Sequence, residues 1–221
     1  MENKPQDFLD LYALANPLPG ARAKVPLLEV TKQDDRSDPF LLVESLVIVD
    51  YLAETYNGSN SMLPPTARER AIMRLFSELC GSSFSYLAIL QAQGREQGGA
   101  EKAVEAFAQG LVGVDAFLKH YEQANNQRGP FVLGERFSRA ECNAAPFVYR
   151  ACVILPAFTG RDGASSPVDP RKICDERGLV HLKRWIEAVL ARPSVIKTSI
   201  PKEQVIESTS RLLERIAAMS K

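Results

Sequence analysis

The chain has 221 residues, 45% of them apolar, with 27 basic and 27 acidic side chains and a formal net charge of zero. That length and composition supply enough apolar material for one large domain or two small ones. A balanced charge removes the long-range attraction toward phosphate backbones and anionic headgroups, so nucleic acid and membrane are excluded as partners.

The stretch from Met1 to Asp10 is polar and contains Pro5, and no apolar run reaches the length of a membrane span, which reads as a cytoplasmic protein. Pro5 through Ala15 then reads as a short helix with Phe8, Leu11, Tyr12 and Leu14 on its inner side. The Asn16-Pro17-Leu18-Pro19-Gly20 run breaks it. Val25 to Val30 reads as a strand, Thr31 to Pro39 as a polar turn region and Phe40 to Val43 as a second strand, the two forming an antiparallel hairpin. From Glu44 the apolar period becomes helical through Ile48, Leu52 and Tyr56, with Asn57-Gly58 as the stop. Residues 58–65 are rich in turn formers and mark a linker between a mixed segment, 1–57, and an all-helical one, 66–221.

The helical part opens with a long segment from Thr66 to Gln93, with Ile72, Leu75, Leu79, Ser82, Tyr86 and Ile89 forming one seam. Residues 101–124 repeat the spacing with Val104, Phe107, Leu111, Val114, Leu118 and Tyr121, so two long helices are expected to pack along these stripes. Gly81-Ser82-Ser83 is a small-residue step at which another backbone can approach closely, and a second copy of the chain is one candidate for it. Farther on, Ser138 and Glu141 have the spacing of a capping box, with Phe137 placed to staple onto Cys142. Such a cap contributes about 1 kcal/mol. The helix it opens is expected to run to Leu155. Another is expected from Asp175 to Leu190, with Leu179, Leu182, Ile186 and Val189 inward and a stop at Arg192-Pro193. The last, from Pro201 to Met219, carries Val205, Leu212, Ile216 and Met219 on one face. Cys80, Cys142, Cys152 and Cys174 lie far apart without a C-x-x-C pair, which argues against a disulfide framework, a zinc site or a dithiol redox motif. They read as buried structural thiols.

Two short motifs carry the functional signal. Val25-Pro26-Leu27-Leu28-Glu29 is a strand opened by a proline, which leaves the Val25 backbone free to pair with an extended ligand. Glu44-Ser45 opens a helix, whose first turn holds unpaired N–H groups with a partial positive charge. A small zwitterionic peptide needs both features. Taken alone, Glu44-Ser45 is an ordinary helix start; its distance from Val25-Pro26 is what makes it a candidate site.

These motifs, together with the Asn3-Lys4-Pro5-Gln6-Asp7-Phe8 block, the run Glu44 to Leu52 and the capping box from Gly134 to Glu141, resemble the cytosolic glutathione S-transferase superfamily, and within it the omega-like branch. The resemblance implies an α+β chain: a truncated thioredoxin-like segment that binds glutathione, then the family's all-helical domain. It also implies glutathione as co-substrate, a small electrophilic or oxidised second substrate, and a homodimer. Pro26 would be the family's cis-proline, Val25 would pair with the cysteinyl part of glutathione, and Glu44 and Ser45 would hold its γ-glutamyl end. Lys24 would reach the glycyl carboxylate. The family's first strand, first helix and second strand have no counterpart before Asn3, and with them goes the Tyr, Ser or Cys that activates the thiol. No catalytic residue is therefore assigned. Tyr12 and Cys80 are expected in the core, and Phe84, Tyr86 and Tyr149 are candidates to line an acceptor pocket. A transferase or glutathione-dependent reductase of impaired activity is one expectation, and a non-catalytic binding or assembly module of the same fold is the other.

Overall fold

The computed structural model describes residues 4–32, 35–56, 58, 61–92, 98–125, 128–160 and 166–219. They form two compact units, residues 1–63 and 64–221.

The first unit runs α1 (Gln6–Ala15), β1 (Leu27–Lys32), β2 (Asp35–Val43) and α2 (Ser45–Thr55), with the two strands paired antiparallel. The register sets Leu27 opposite Val43, Leu28 opposite Leu42, Glu29 opposite Leu41 and Val30 opposite Phe40, with an irregularity before Lys32 pairs with Asp35. Most of the expected turn region is thus strand. A strand can extend through polar residues when its ladder partner is present, a condition that side-chain pattern does not reveal. The first strand also starts at Leu27 rather than Val25. Both helices pack against β2, where Phe40 meets Tyr51 with ring centroids 5.6 Å apart. Tyr12 and Ile48 are buried. Phe8, Leu11 and Tyr12 face inward as expected, but Leu14 is exposed and Ala15 takes its place on the inner face. In α2 Leu52 and Tyr56 are exposed as well, since the hairpin covers only the side of the helix around Ile48. This helix ends at Thr55 with Tyr56 as its C-cap; Asn57 lies outside the described residues.

The second unit contains α3 (Ala67–Ser83), α4 (Leu87–Ala92), α5 (Gly99–Asn125), α6 (Arg139–Phe158), α7 (Pro170–Arg177), α8 (Val180–Ala191), α9 (Pro193–Thr198) and α10 (Lys202–Met219). Thr66 opens α3 with a capping box closed by Glu69. The expected continuous helix from Thr66 breaks between Ser83 and Leu87, and its other expected end, Gln93, lies outside the described residues. Its seam is also shifted by one residue: Ile72, Met73, Phe76, Cys80 and Ser83 are buried, whereas Leu75 is exposed. The three- and four-residue period is the expected one, but its phase follows the aromatic core. There Trp185 meets Phe76 edge-on at 5.2 Å and stacks on Phe84 at 6.2 Å. On α5, Phe107, Leu111, Val114 and Leu118 are buried as expected. Ser83 receives Gly110 of α5, where an added Cβ would lie 3.2 Å from the Ser83 Cα. The close backbone approach is therefore made by α5 of the same chain.

Ser138 caps α6, its Oγ accepting from the Ala140 N–H at 3.2 Å, while Glu141 accepts from the Ser138 N–H at 2.8 Å. Glu141 reaches farther, accepting from the Val132 N–H at 3.0 Å and the Trp185 indole N–H at 3.3 Å. One buried carboxylate thereby ties the loop, the cap and the aromatic core together. The single helix expected from Asp175 to Leu190 is two, because Gly178 takes a left-handed conformation (φ 66°) that ends α7. Leu179, Leu182, Ile186 and Val189 are nonetheless buried. Pro193 starts α9 instead of ending the chain's helical run, since a proline lacks only an N–H that the first turn does not use. On α10, which packs on α6, Val205 and Thr209 are buried and Leu213 packs against the core, leaving Leu212 exposed. Cys80, Cys152 and Cys174 are buried and Cys142 is half-buried, all as free thiols.

Candidate functional site

The residues that the sequence singles out lie at the hairpin's open end. Because Leu27 pairs with Val43, Pro26 just before β1 and Glu44 just after β2 are the residues that adjoin the last pair, with strands about 4.8 Å apart. Lys24, Val25, Pro26, Glu44 and Ser45 are all exposed there. The Val25–Pro26 bond is cis, and Val25, 58% exposed, stands just outside the ladder. Lys4 donates from Nζ to the Ala23 carbonyl and so ties the residues leading into this segment to the start of α1.

Glu44 has φ 69° and ψ 114°, a non-glycine residue held at positive φ. Such a conformation costs of the order of 1–3 kcal/mol and persists where its surroundings over-determine it, most often at a ligand site. No sequence signal marks it. The first helical bond of α2 runs from the Ile48 N–H to the Glu44 carbonyl at 3.0 Å. The amides of Ser45, Leu46 and Val47 thus lack intrahelical partners, and no side chain caps them. These amides and the Ser45 hydroxyl can donate to a carboxylate, and the Glu44 carboxylate can accept from an ammonium group, of one ligand.

The remaining candidates divide. Tyr12 is 4% exposed in the first unit. Cys80 is fully buried in the second, and burial pushes its thiol well above the ordinary value, with Glu141 adding to the rise. Phe84 is fully buried against Trp185, so it cannot line an acceptor pocket. Tyr86 and Tyr149 both pack on the cluster formed by Leu90, Val153, Ile154, Phe158 and Val205. Burial raises the Tyr86 phenol, with the Arg150 guanidinium pulling the other way. Tyr149 donates to the Ile200 carbonyl at 2.7 Å. Among the described residues no cluster of His, Cys, Asp and Glu could hold a metal ion, and no helix is long and apolar enough to cross a membrane.

No family model matches the chain. A glutathione S-transferase U16 of Arabidopsis thaliana is 27% identical over 173 residues, covering 77% of this chain and 67% of that protein. A probable cytosolic glutathione S-transferase DHAR1 of Oryza sativa is 25% identical over 206 residues, covering 93% of this chain and 76% of the relative. Among solved structures, glutathione transferase Omega 3C of Trametes versicolor superposes with a TM-score of 0.65 at 21% identity, over 98% of this chain and 77% of its own. The trimeric glutathione transferase TDR1 of Leishmania gives 0.64 at 24% identity, and this chain spans 94% of itself but only 40% of that protein's length. The solved structures show the fold, a small thioredoxin-like segment with a helical domain. The resemblance to glutathione S-transferases holds in sequence and fold, and the likeness to the omega-type member is one of fold.

Proposed function

We propose that this glutathione S-transferase-like chain binds glutathione at the open end of its hairpin. The Val25 backbone would pair with the cysteinyl unit, Glu44 and Ser45 would hold the γ-glutamyl ammonium and carboxylate, and Lys24 would meet the glycyl carboxylate. The observation that carries this reading is the register of Leu27 with Val43, which sets the two motifs side by side although 17 residues separate Pro26 from Glu44.

Chemistry follows the same proposal only in part. The family's reaction, conjugation or glutathione-dependent reduction of a small electrophilic or oxidised substrate, needs glutathione as the thiolate. A free thiol with a pKa near 8.5 is only a few per cent ionised at neutral pH. Tyr12 and Cys80 are buried away from solvent, so neither supplies that activation. This favours a second reading, a glutathione-binding module that turns substrate over slowly or not at all.

Calorimetry with reduced glutathione tests the binding. Saturable uptake that Glu44→Ala weakens strongly supports the site, and tight uptake indifferent to Glu44→Ala and Ser45→Ala removes it. Turnover of a general electrophilic acceptor or of dehydroascorbate, lost in Tyr12→Phe or Cys80→Ala, would show that one of the two core residues is catalytic.

A further inference from the structure

The surface of the helical unit holds an open pocket of about 400 Å³, lined within that unit by α6, α7, the end of α8, α9 and the joint leading into α10. That volume lies in the range of small-molecule sites, about 300–1,000 Å³. Its walls are apolar at Val153, Ile196 and Ile200, and its polar groups include Arg171 and Lys202, while no acidic side chain lines it. Two aliphatic residues of the lining are unusually open, Ile196 at 60% and Ile200 at 47% exposure.

The two cations differ in how they are held. Arg171 is fixed by Asp169, which accepts from its Nε at 3.2 Å and from its Nη2 at 3.1 Å. That pairing leaves Nη1 for another acceptor. Lys202 is exposed, and among the described residues no ion pair engages it. Asp169 already offsets one of the two charges, so the pocket suits a single negative charge better than a double one. Tyr149, its hydroxyl proton committed to the Ile200 carbonyl at 2.7 Å, offers nothing further to an anion. Lining of this kind, apolar walls with a charged edge, matches an amphipathic ligand with an anionic end.

We propose that this pocket binds a medium-chain monocarboxylate, its alkyl chain against Val153, Ile196 and Ile200 and its carboxylate between Arg171 and Lys202. The site belongs to the helical unit alone and does not depend on the glutathione reading. Burial of each methylene strengthens binding about fourfold, so affinity should rise from hexanoate to octanoate by roughly one order of magnitude.

Titration calorimetry of the whole chain with octanoate, and separately with 1-octanol, tests this. Octanoate should bind with a stoichiometry of one and at least tenfold more tightly than octanol. Lys202→Glu, a change at an exposed position, should weaken octanoate at least tenfold and leave octanol unaffected. Val153→Trp, which fills the pocket, should abolish both. Equal binding of acid and alcohol, octanoate binding undiminished in Lys202→Glu, or no octanoate binding up to millimolar concentration would each overturn the proposal. Should Val153→Trp fail to fold, Lys202→Glu decides the matter by itself, with an unchanged thermal melt as its control.

Discussion

Gly110 of α5 lies so close to Ser83 of α3 that a Cβ added to the glycine would stand 3.2 Å from the Ser83 Cα and 3.3 Å from its Cβ. Three residues on, Gly113 of the same helix has nothing within 4 Å of the corresponding position. The pair separates two effects that glycine has in a helix. Gly113→Ala should stabilise the protein by about 0.5–1 kcal/mol, the propensity difference alone. Gly110→Ala should not share that gain and should destabilise the protein if α3 is locked there, since Ser83 has to give by a few tenths of an ångström. Denaturant midpoints of the two variants check this, and stabilisation by both would mean that α3 and α5 are not locked at Ser83.

Asp115 on α5 accepts from the backbone N–H groups of His181 and Leu182, each at 2.9 Å, and so caps α8 from another helix. The N-cap residue itself, Leu179, supplies no side-chain bond. Asp115→Ala should cost about 1–2 kcal/mol, as removal of a capping side chain does. Thermal melting should recover part of the loss in Asp115→Asn, which can still accept.

Gly129 has φ 152°, and a Cβ there would fall 2.2 Å from the carbonyl carbon of Gly134. Backbone atoms cannot yield as a flexible side chain does. Gly129→Ala should therefore disrupt the turn before α6 and lower stability by more than about 3 kcal/mol. Native-like stability in this variant would show that the turn is rebuilt easily.

Glu141 is fully buried, and burial pushes its carboxyl above the ordinary carboxylate range, while hydrogen bonds from Val132, Ser138 and Trp185 pull it back. A folded-state pKa above the unfolded one means that the unfolded chain releases this proton first as pH rises. The stabilising contribution is then fully present below about pH 4.5 and is lost as pH climbs through the folded value. Unfolding free energies of the wild type relative to Glu141→Gln should accordingly fall as pH rises above the ordinary carboxylate range. A difference that grows with pH would mean that the hydrogen bonds outweigh desolvation.

Glu44→Ala should weaken glutathione uptake at least tenfold, consistent with about 1.5–3 kcal/mol for a charge-assisted hydrogen bond. Stability should change by less than about 0.5 kcal/mol, because the side chain is exposed and makes no cap. Calorimetry and a melt on the same sample separate the two effects.

Signals that act over a few residues were legible in the sequence. The capping box at Ser138 and Glu141 forms because its donors and acceptors lie within one helical turn. The inward stripe on α5 is buried as expected because Phe107, Leu111, Val114 and Leu118 recur at three- and four-residue steps and so share one face of the helix. The Val25-Pro26 and Glu44-Ser45 motifs were legible as types of residue at an N-terminal proline and a helix start. Tertiary structure alone decided the rest. On α3 both Leu75 and Phe76 fit an apolar period, and only packing against Trp185 selects Phe76. Gly178 and Leu179 divide one apolar run into α7 and α8, a break that periodicity across the run conceals. The register that sets Leu27 opposite Val43, the positive φ of Glu44 and the capping of α8 by Asp115 each depend on groups far apart in the chain. Local patterns record what a segment can bury, whereas the partner that covers it is chosen only when the chain has folded.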